Sequence, residues 1–231
     1  MGDLDNRNVS MLSVDSTTLW EGCILALCVH GVMLPEYPFT LYDHQWSEGI
    51  YVTEEGGGKA ALVFSDAGSL LLGMFCDLSS DRTGLVLTEQ YACSHYREAP
   101  RERQEMAQAL SALFEQGEDG KKLPYVTTGL WEENGLILSR DDETDWYVHG
   151  GRMLEFQTKP FEEAMEHYAA ACSMDVRRME IAERLYRERI RSPQEQVVLT
   201  KEEIGVLRES GPYNMELCRE AFAKLGIYFA Q

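Results

Sequence analysis

The amino-acid sequence predicts an α+β protein, because strand-like and helix-like patterns fall in different parts of the chain. As far as residue 157, short apolar runs alternate with turn residues, as expected for an antiparallel, meander-rich sheet region. One internal helix interrupts that region. From residue 158 onwards, apolar residues recur at helical spacing. We therefore expect a β-rich region at 1–157 and a helical C-terminal region at 158–231 packed on it, as two domains or one continuous domain.

Apolar runs with the length of strands precede the first helix. They are Cys23–Val29, Phe39–Tyr42, Gly49–Thr53, Ala60–Ser65 and Ser69–Cys76. A helix is the alternative for the first run. Asp66-Ala67-Gly68 lies between the last two runs, and its glycine suits the positive φ of a hairpin loop.

The internal helix is predicted at Pro100–Gln116, where one face is apolar and Gly117 marks the end. A solvated loop at 117–122 follows it. A second β stretch is predicted from four runs, which are Tyr125–Trp131, Leu136–Arg140, Asp145–His149 and Arg152–Phe156. The pairs Asn134-Gly135 and Gly150-Gly151 are typical of tight hairpin turns, so we expect a three-stranded antiparallel meander here.

The C-terminal helices are predicted from their faces and their ends. The shared faces are Phe161, Ala164, Met165, Tyr168 and Cys172, then Met179, Ala182, Tyr186 and Ile190, then Leu217, Ala221, Phe222 and Leu225. Ion pairs at i, i+4 are expected for Glu180–Arg184 and Glu183–Arg187. Thr200 and Glu203 predict a capping box, Ser210-Gly211-Pro212 ends that helix, and Asn214 is expected to cap the next one.

The charge is strongly negative, with 39 acidic and 21 basic side chains and a net charge of −18. It is also uneven: residues 1–100 hold 14 acids and 4 bases, 101–160 hold 12 and 7, and 161–231 hold 13 and 10. Such a surface repels phosphate backbones and anionic lipids but attracts a cationic protein. We therefore expect a basic protein partner, and no nucleic acid or membrane. The alternative is that the charge serves solubility alone.

The location is expected to be cytoplasmic. The first residues lack a basic segment followed by an apolar core, and Asn6 stands where a myristoylated chain has Ser or Thr. The longest apolar run, Cys23–Leu34, is broken by His30 and is shorter than a bilayer requires. Dispersed cysteines in apolar surroundings predict reduced thiols at Cys23, Cys28, Cys76, Cys93, Cys172 and Cys218.

One pair of runs suggests thiol chemistry. The first ends in His30-Gly31 and the second ends in Cys76. This pattern is similar to caspase-like cysteine peptidases, which place His-Gly and the nucleophilic cysteine at the ends of neighbouring parallel strands. Gly73-Met74-Phe75 departs from the acidic-small pair that precedes the cysteine in that family. A buried thiol and a histidine at a strand end explain the same residues.

Metal and nucleotide motifs are incomplete, so we expect no cofactor and no metal. Cys28-x-His30 and Cys93-x-His95 could supply four zinc ligands, but this is not a common zinc spacing. A calcium loop starting at Asp141 would have Trp146 and Arg152 where it needs glycine and a bidentate acid. Gly56-Gly57-Gly58-Lys59 lacks the remaining residues of a phosphate-binding loop.

These observations favour a non-enzymatic acidic binding protein, an inhibitor or immunity-type protein that neutralises a basic partner such as a toxin or nuclease. The expected contacts are carboxylates and tryptophans in turns, at Glu54, Glu55, Trp131, Glu132, Glu133, Asp141, Asp142, Glu143, Asp145 and Trp146. The alternatives are a cysteine-dependent hydrolase with a His30/Cys76 dyad, and a scaffold or regulatory subunit. The sequence does not predict an oligomeric state.

Overall fold

A computed structural model describes residues 8–36, 43–84, 88–117, 123–211 and 214–230. The strands are β1 (Ser10–Met11), β2 (Asp43–Ser47), β3 (Ile50–Glu55), β4 (Gly58–Phe64), β5 (Leu70–Asp77), β6 (Glu115–Gln116), β7 (Leu123–Pro124), β8 (Thr128–Glu133), β9 (Leu136–Ser139), β10 (Val197–Leu199) and β11 (Ile227–Phe229). The helices are α1 (Ser16–Met33), α2 (Glu89–Ser94), α3 (Arg101–Leu110), α4 (Glu143–Val148), α5 (Phe161–Ala171), α6 (Val176–Arg191), α7 (Lys201–Ser210) and α8 (Met215–Lys224).

The predicted α+β class is confirmed. A seven-stranded sheet has the order β1-β9-β8-β5-β4-β3-β2, and its β4–β5, β5–β8, β8–β9 and β1–β9 pairs are antiparallel. Two small sheets pair β6 with β7 and β10 with β11, the latter in parallel. Most of the helices follow the large sheet in the chain, as predicted.

The chain divides into two compact units, each formed by two separate segments. The first comprises Met1–Thr17 and Val52–Glu155, and the second comprises Thr18–Tyr51 and Phe156–Gln231. The break at 155–156 lies close to the expected boundary after residue 157. Residues 18–51, however, belong to the same unit as the C-terminal helices rather than to the β-rich region.

Three of the predicted early strands are confirmed as β3, β4 and β5. Their hairpins depend on glycine at positive φ, including Gly57 before β4 and Gly68 before β5.

Another glycine allows a close approach: a Cβ at Gly129 in β8 would collide with the ring of Tyr96. The Tyr96 hydroxyl instead donates to the carbonyl oxygen of Gly73 at 2.6 Å, which fastens the chain after α2 to the sheet. The predicted run Phe39–Tyr42 lies outside the described residues.

The run Cys23–Val29 is helical, so the strand prediction is wrong and its alternative is correct. It belongs to α1, which is buried along nearly all its length from Leu19 to Met33. A helix buried on all sides lacks the polar face whose 3.6-residue period identifies a helix in a sequence. By length and composition α1 could cross a membrane, unlike the shorter run considered above. It is 78% buried in the protein, however, as the core helix of a soluble protein also is.

The predicted meander is only half correct. β8 and β9 form the expected hairpin, but residues 143–148 form α4, and Gly151–Leu154 is a single 3₁₀ turn. The strands predicted at Asp145–His149 and Arg152–Phe156 are therefore wrong. The reason is local, because the Asp142 side chain accepts the backbone N–H of Asp145 at 2.9 Å and so caps a helix.

The C-terminal helices are confirmed, with some different contacts. Both hydrogen bonds of the Thr200–Glu203 capping box form, and α7 ends at Ser210. Glu183 pairs with Arg187 as expected, whereas Arg184 pairs with Glu188 and Glu203.

The beginning and the buried face of α8 differ from the prediction. Asn214 precedes α8 but makes no capping bond with its side chain. Cys218 and Phe222 are buried on α8, while Leu217 is exposed. The predicted apolar face is therefore wrong at Leu217.

The buried face of α8 leads to a stability prediction. Phe222 is fully buried, and a Cβ at Gly31 of α1 would lie 2.5 Å from its ring, so the two helices pack closely. We expect Phe222→Ala to lower the free energy of unfolding by about 3–5 kcal/mol, because it leaves a cavity. The control is Leu217→Ala on the same helix, which should change it by less than about 0.5 kcal/mol. Equal small changes in urea unfolding for both variants would show that α8 does not contribute to the core.

Candidate functional site

Acidic segments that are far apart in sequence meet at one end of the sheet in the first unit. Glu54 and Glu55 end β3, and β4 then begins at Gly58, which pairs with Asp77 at the end of β5. β8 begins at this same end, because Thr128 pairs with Phe75. β9 is antiparallel to β8 and so finishes here, just before the segment 141–145. We call this end of the sheet, with Glu54, Glu55, Asp81, Asp142, Glu143 and Asp145, the acidic end.

The predicted contacts Glu132 and Glu133 lie elsewhere. Trp131 of β8 pairs with Leu72 of β5, so the turn that follows β8 is at the opposite end of the sheet. Glu132 also has a local role, since its carboxylate accepts the backbone N–H of Gly135 in that turn. The structure therefore divides the predicted contacts into two groups at opposite ends.

Asp141 is a structural carboxylate rather than an exposed contact. It accepts hydrogen bonds from Arg82 Nη1 at 2.7 Å and from Thr128 Oγ1 at 2.6 Å. Arg82 also donates to the backbone oxygen of Thr127 at 3.0 Å. Partial burial alone would raise the pKa of Asp141, but the hydrogen bonds from Arg82 and Thr128 outweigh it and lower the pKa below its ordinary value.

The remaining acids of the 141–145 segment face solvent while supporting the local structure. Asp142 caps α4, and Glu143 Oε2 accepts the backbone N–H of Ser13 at 2.7 Å. Asp145 is exposed, with Arg82 Nη2 at 3.8 Å from its carboxylate. Asp81 is also largely exposed. These side chains give the acidic end a dense group of solvent-facing carboxylates.

The two predicted tryptophan anchors are buried, so that part of the prediction is wrong. Trp131 is 0% exposed and Trp146 is 3% exposed. Trp131 lies on a central strand of the sheet, and the ring of Trp146 meets Phe75 edge to face, with centroids 6.0 Å apart. Neither indole can therefore contact a partner while the protein stays folded.

Sequence reasoning missed three exposed apolar side chains near these acids. Leu78 follows β5, and Tyr147 and Val148 are in α4; all three are exposed. The exposure of Tyr147 and Val148 follows from α4, which turns Trp146 inward and leaves these two successors outside. The acidic cap at Asp142 could have indicated a helix here, and hence which side chains point outward.

The geometry expected for a His30/Cys76 dyad is absent. His30 is in helix α1 of the second unit, and Cys76 is in β5 of the first, whose neighbours β4 and β8 are antiparallel to it. Burial raises the pKa of the Cys76 thiol to about 11, and the carboxylate of Asp77 adds to this effect. A nucleophilic thiol needs the opposite shift. The structure therefore does not support thiol catalysis at Cys76.

A hydroxyl and an imidazole do meet at the acidic end. Ser80 Oγ lies 2.7 Å from Nδ1 of His149, and the nearest carboxylate oxygen of Asp81 is 3.7 Å from the same nitrogen. A catalytic triad instead needs the serine and the acid on different ring nitrogens. This contact joins the segment after β5 to the end of α4.

The second unit contains a buried polar network. Gln157 Nε2 donates to the Tyr51 hydroxyl at 2.9 Å, and that hydroxyl lies 2.8 Å from Nδ1 of His44. Burial, and then the nearby His30 ring, lowers the pKa of His44 to about 3. His44 is therefore neutral at physiological pH and has a structural role.

Metal ligation is not indicated. Within the described ranges, no group of three or more His, Cys, Asp or Glu side chains could hold a metal ion. Cys28 and His30 are two apart on helix α1, where they point in different directions, so they do not form a zinc-binding pair.

No protein-family model, no curated protein and no solved structure matches this chain.

Thiol accessibility gives a test of the cysteine assignments. Cys93 and Cys172 are partly exposed, whereas Cys76 and the three other thiols are buried. We expect iodoacetamide to label Cys93 and Cys172 before Cys76 in the native protein, as followed by mass spectrometry of timed samples. Modification requires an accessible thiolate, which burial suppresses. The same reaction in urea is the control and should remove the order; native labelling of Cys76 first would contradict this assignment.

The Arg82–Asp141 pair gives a stability prediction. A hydrogen bond between charged groups contributes about 1.5–3 kcal/mol, and Asp141→Asn removes the negative charge from this one, so it should lower the free energy of unfolding by up to about that amount near pH 7. Because folding lowers the pKa of Asp141, its contribution is present above the unfolded pKa and is lost as pH falls through the folded pKa. Urea unfolding across that range should therefore show a weaker pH dependence in the variant. The control is Glu166→Gln, at an exposed position on α5; parallel pH profiles for Asp141→Asn and the unmodified protein would contradict the assignment.

Proposed function

We propose that the protein is a non-enzymatic, acidic binding protein of the cytoplasm, of inhibitor or immunity type, that neutralises a basic protein such as a toxin or nuclease. The observation that carries this proposal is that two acidic segments, far apart in the sequence, meet at one end of the sheet. The first unit holds 22 acids and 10 bases, against 17 and 11 in the second. The negative field is therefore strongest on the unit that carries the acidic end.

Concentrated carboxylates suit rapid capture of a cationic surface. Opposite charges on two proteins raise the association rate by long-range attraction, and this effect is sensitive to salt. The same charges repel nucleic acid and anionic lipid, which supports a protein as the partner. The raised pKa of Cys76 gives the cysteine-hydrolase alternative no support.

The contact set follows from which carboxylates are exposed. Asp142, Glu143 and Asp145 face solvent on α4 and its cap, and Glu54 is exposed although Lys59 pairs with it at 2.6 Å. Asp141 is omitted because its carboxylate already accepts hydrogen bonds from Arg82 and Thr128. The buried tryptophans are omitted as well. The revised set therefore consists of carboxylates at the acidic end.

Neutralising the α4 carboxylates tests the proposal. In the variant Asp142→Asn, Glu143→Gln, Asp145→Asn, the side chains keep their shape, and asparagine still caps a helix. We expect slower association with a basic partner captured from the native host and little change in dissociation, because charges at an interface rim act mainly on the association rate. Stopped-flow measurements at about 0.05 and 0.5 M salt should show the rate falling, since the screening length shrinks from about 14 to 4 Å.

The matched control removes the same amount of charge from the second unit. It is Glu162→Gln, Glu166→Gln, Glu220→Gln, at exposed positions on α5 and α8. This variant should associate nearly as fast as the unmodified protein. If both triple variants slow association equally, net charge rather than the acidic end governs binding. If neither does, and salt has no effect, the proposed function is wrong.

A further inference from the structure

Exposed apolar side chains lie in the same chain segments as the carboxylates of the acidic end. Leu78, Tyr147 and Val148 are 45%, 43% and 51% exposed. The backbone N–H of Leu78 donates to the oxygen of Gly57 at 3.4 Å, so this leucine lies at the β3–β4 turn next to Glu54 and Glu55. Tyr147 and Val148 directly follow the acidic first turn of α4. Large apolar side chains on a water-facing surface indicate a contact site when they are grouped and rimmed by polar residues.

Two contacts connect the leucine segment to α4. Ser80, two residues after Leu78, is hydrogen-bonded to His149, the residue after Val148. Arg152 forms an ion pair with the buried Asp77, the residue before Leu78, at 2.7 Å. The segment 77–80 and the end of α4 are therefore fixed to the same part of the first unit, with their apolar side chains outward.

We propose that Leu78, Tyr147 and Val148 form the apolar centre of a docking surface whose rim is the acidic end. Its occupant is a loop of another protein with an apolar side chain flanked by lysine or arginine. This inference rests on the proposed function, to which it adds the anchors that Trp131 and Trp146 cannot provide. Interfaces of this kind bury an apolar or aromatic centre inside a charged rim.

Charge complementarity selects this occupant over the others. A second copy of the chain docked through the same patch would bring two acidic ends together, because a two-fold interface places each patch against itself. Like charges at that contact repel each other. Nucleic acid and anionic lipid, which are also negative, are repelled by the acidic end in the same way. A cationic rim around an apolar tip matches both features of the surface.

Two synthetic peptides of equal charge separate the two features of the surface. One alternates lysine and glycine, and the other has leucine in place of its central glycines. We expect isothermal titration calorimetry at about 0.05 M salt to show the leucine peptide binding at least about tenfold more tightly to the unmodified protein, a ratio that corresponds to about 1.4 kcal/mol and is within the contribution of a buried anchor. The lysine–glycine peptide should still bind weakly, through charge alone.

Variants assign the gain to named side chains. The double variant Leu78→Ser, Tyr147→Ser should lose most of the difference between the two peptides, since only Val148 of the apolar centre remains. Leu113→Ser is the matched control, since Leu113 is 43% exposed in the first unit but does not belong to the acidic end. It should keep the difference of at least about tenfold. These positions are exposed, so the variants should fold, and a thermal melt checks this.

The outcomes distinguish this inference from the proposed function. If both peptides bind the unmodified protein equally, or if the double variant keeps the full difference, the apolar centre is wrong and charge capture stands. If neither peptide binds, or if Asp142→Asn, Glu143→Gln, Asp145→Asn leaves the binding of the lysine–glycine peptide unchanged, the proposed function fails as well. The inference is supported if the tighter binding of the leucine peptide is lost in the double variant and kept in Leu113→Ser.

Discussion

The ion pair between Arg82 and Asp141 is the interaction on which the acidic end depends. It joins the segment after β5 to the segment after β9, which are far apart in the chain. Both side chains are mostly shielded from water, so their attraction is weakly screened, and Thr128 satisfies the carboxylate further. With Asp141 held, the next residue, Asp142, is positioned to cap α4. The direction of α4, and hence which side chains face solvent, follows from that cap.

Local signals allowed much of the fold to be predicted from the sequence. The hairpin β8–β9 follows from Asn134-Gly135, where both residues adopt positive φ, and the capping box of α7 follows from Thr200 and Glu203. Two of the misassigned segments have a clear physical reason. α1 has no polar face, so its apolar run shows no helical period. α4 has only six residues, too few to show a helical period, so its capping carboxylate was the only sequence signal for a helix.

The candidate site was harder to predict, because exposure and position depend on the register of the sheet. Counting charges identified the acidic segments but did not show that Glu54 and Asp145 share one end of the sheet while Glu132 occupies the other. The tryptophans were expected to anchor a partner because of their residue type, yet Trp131 lies on a central strand and is buried. Leu78 had no sequence signal of its own, because a leucine after a strand looks the same whether it faces the core or water.

Salt should act on this protein in two opposite ways. The exposed carboxylates of the acidic end repel one another in the free protein, and added salt relieves that repulsion, so it favours the folded state. The same screening would weaken the attraction of the proposed cationic partner before contact. The Arg82–Asp141 pair responds less to either effect, since water and ions reach it poorly. Charge that destabilises the free fold therefore lies beside an ion pair, Arg82–Asp141, that is itself shielded, as expected if the acidic end serves the proposed binding of a cationic partner.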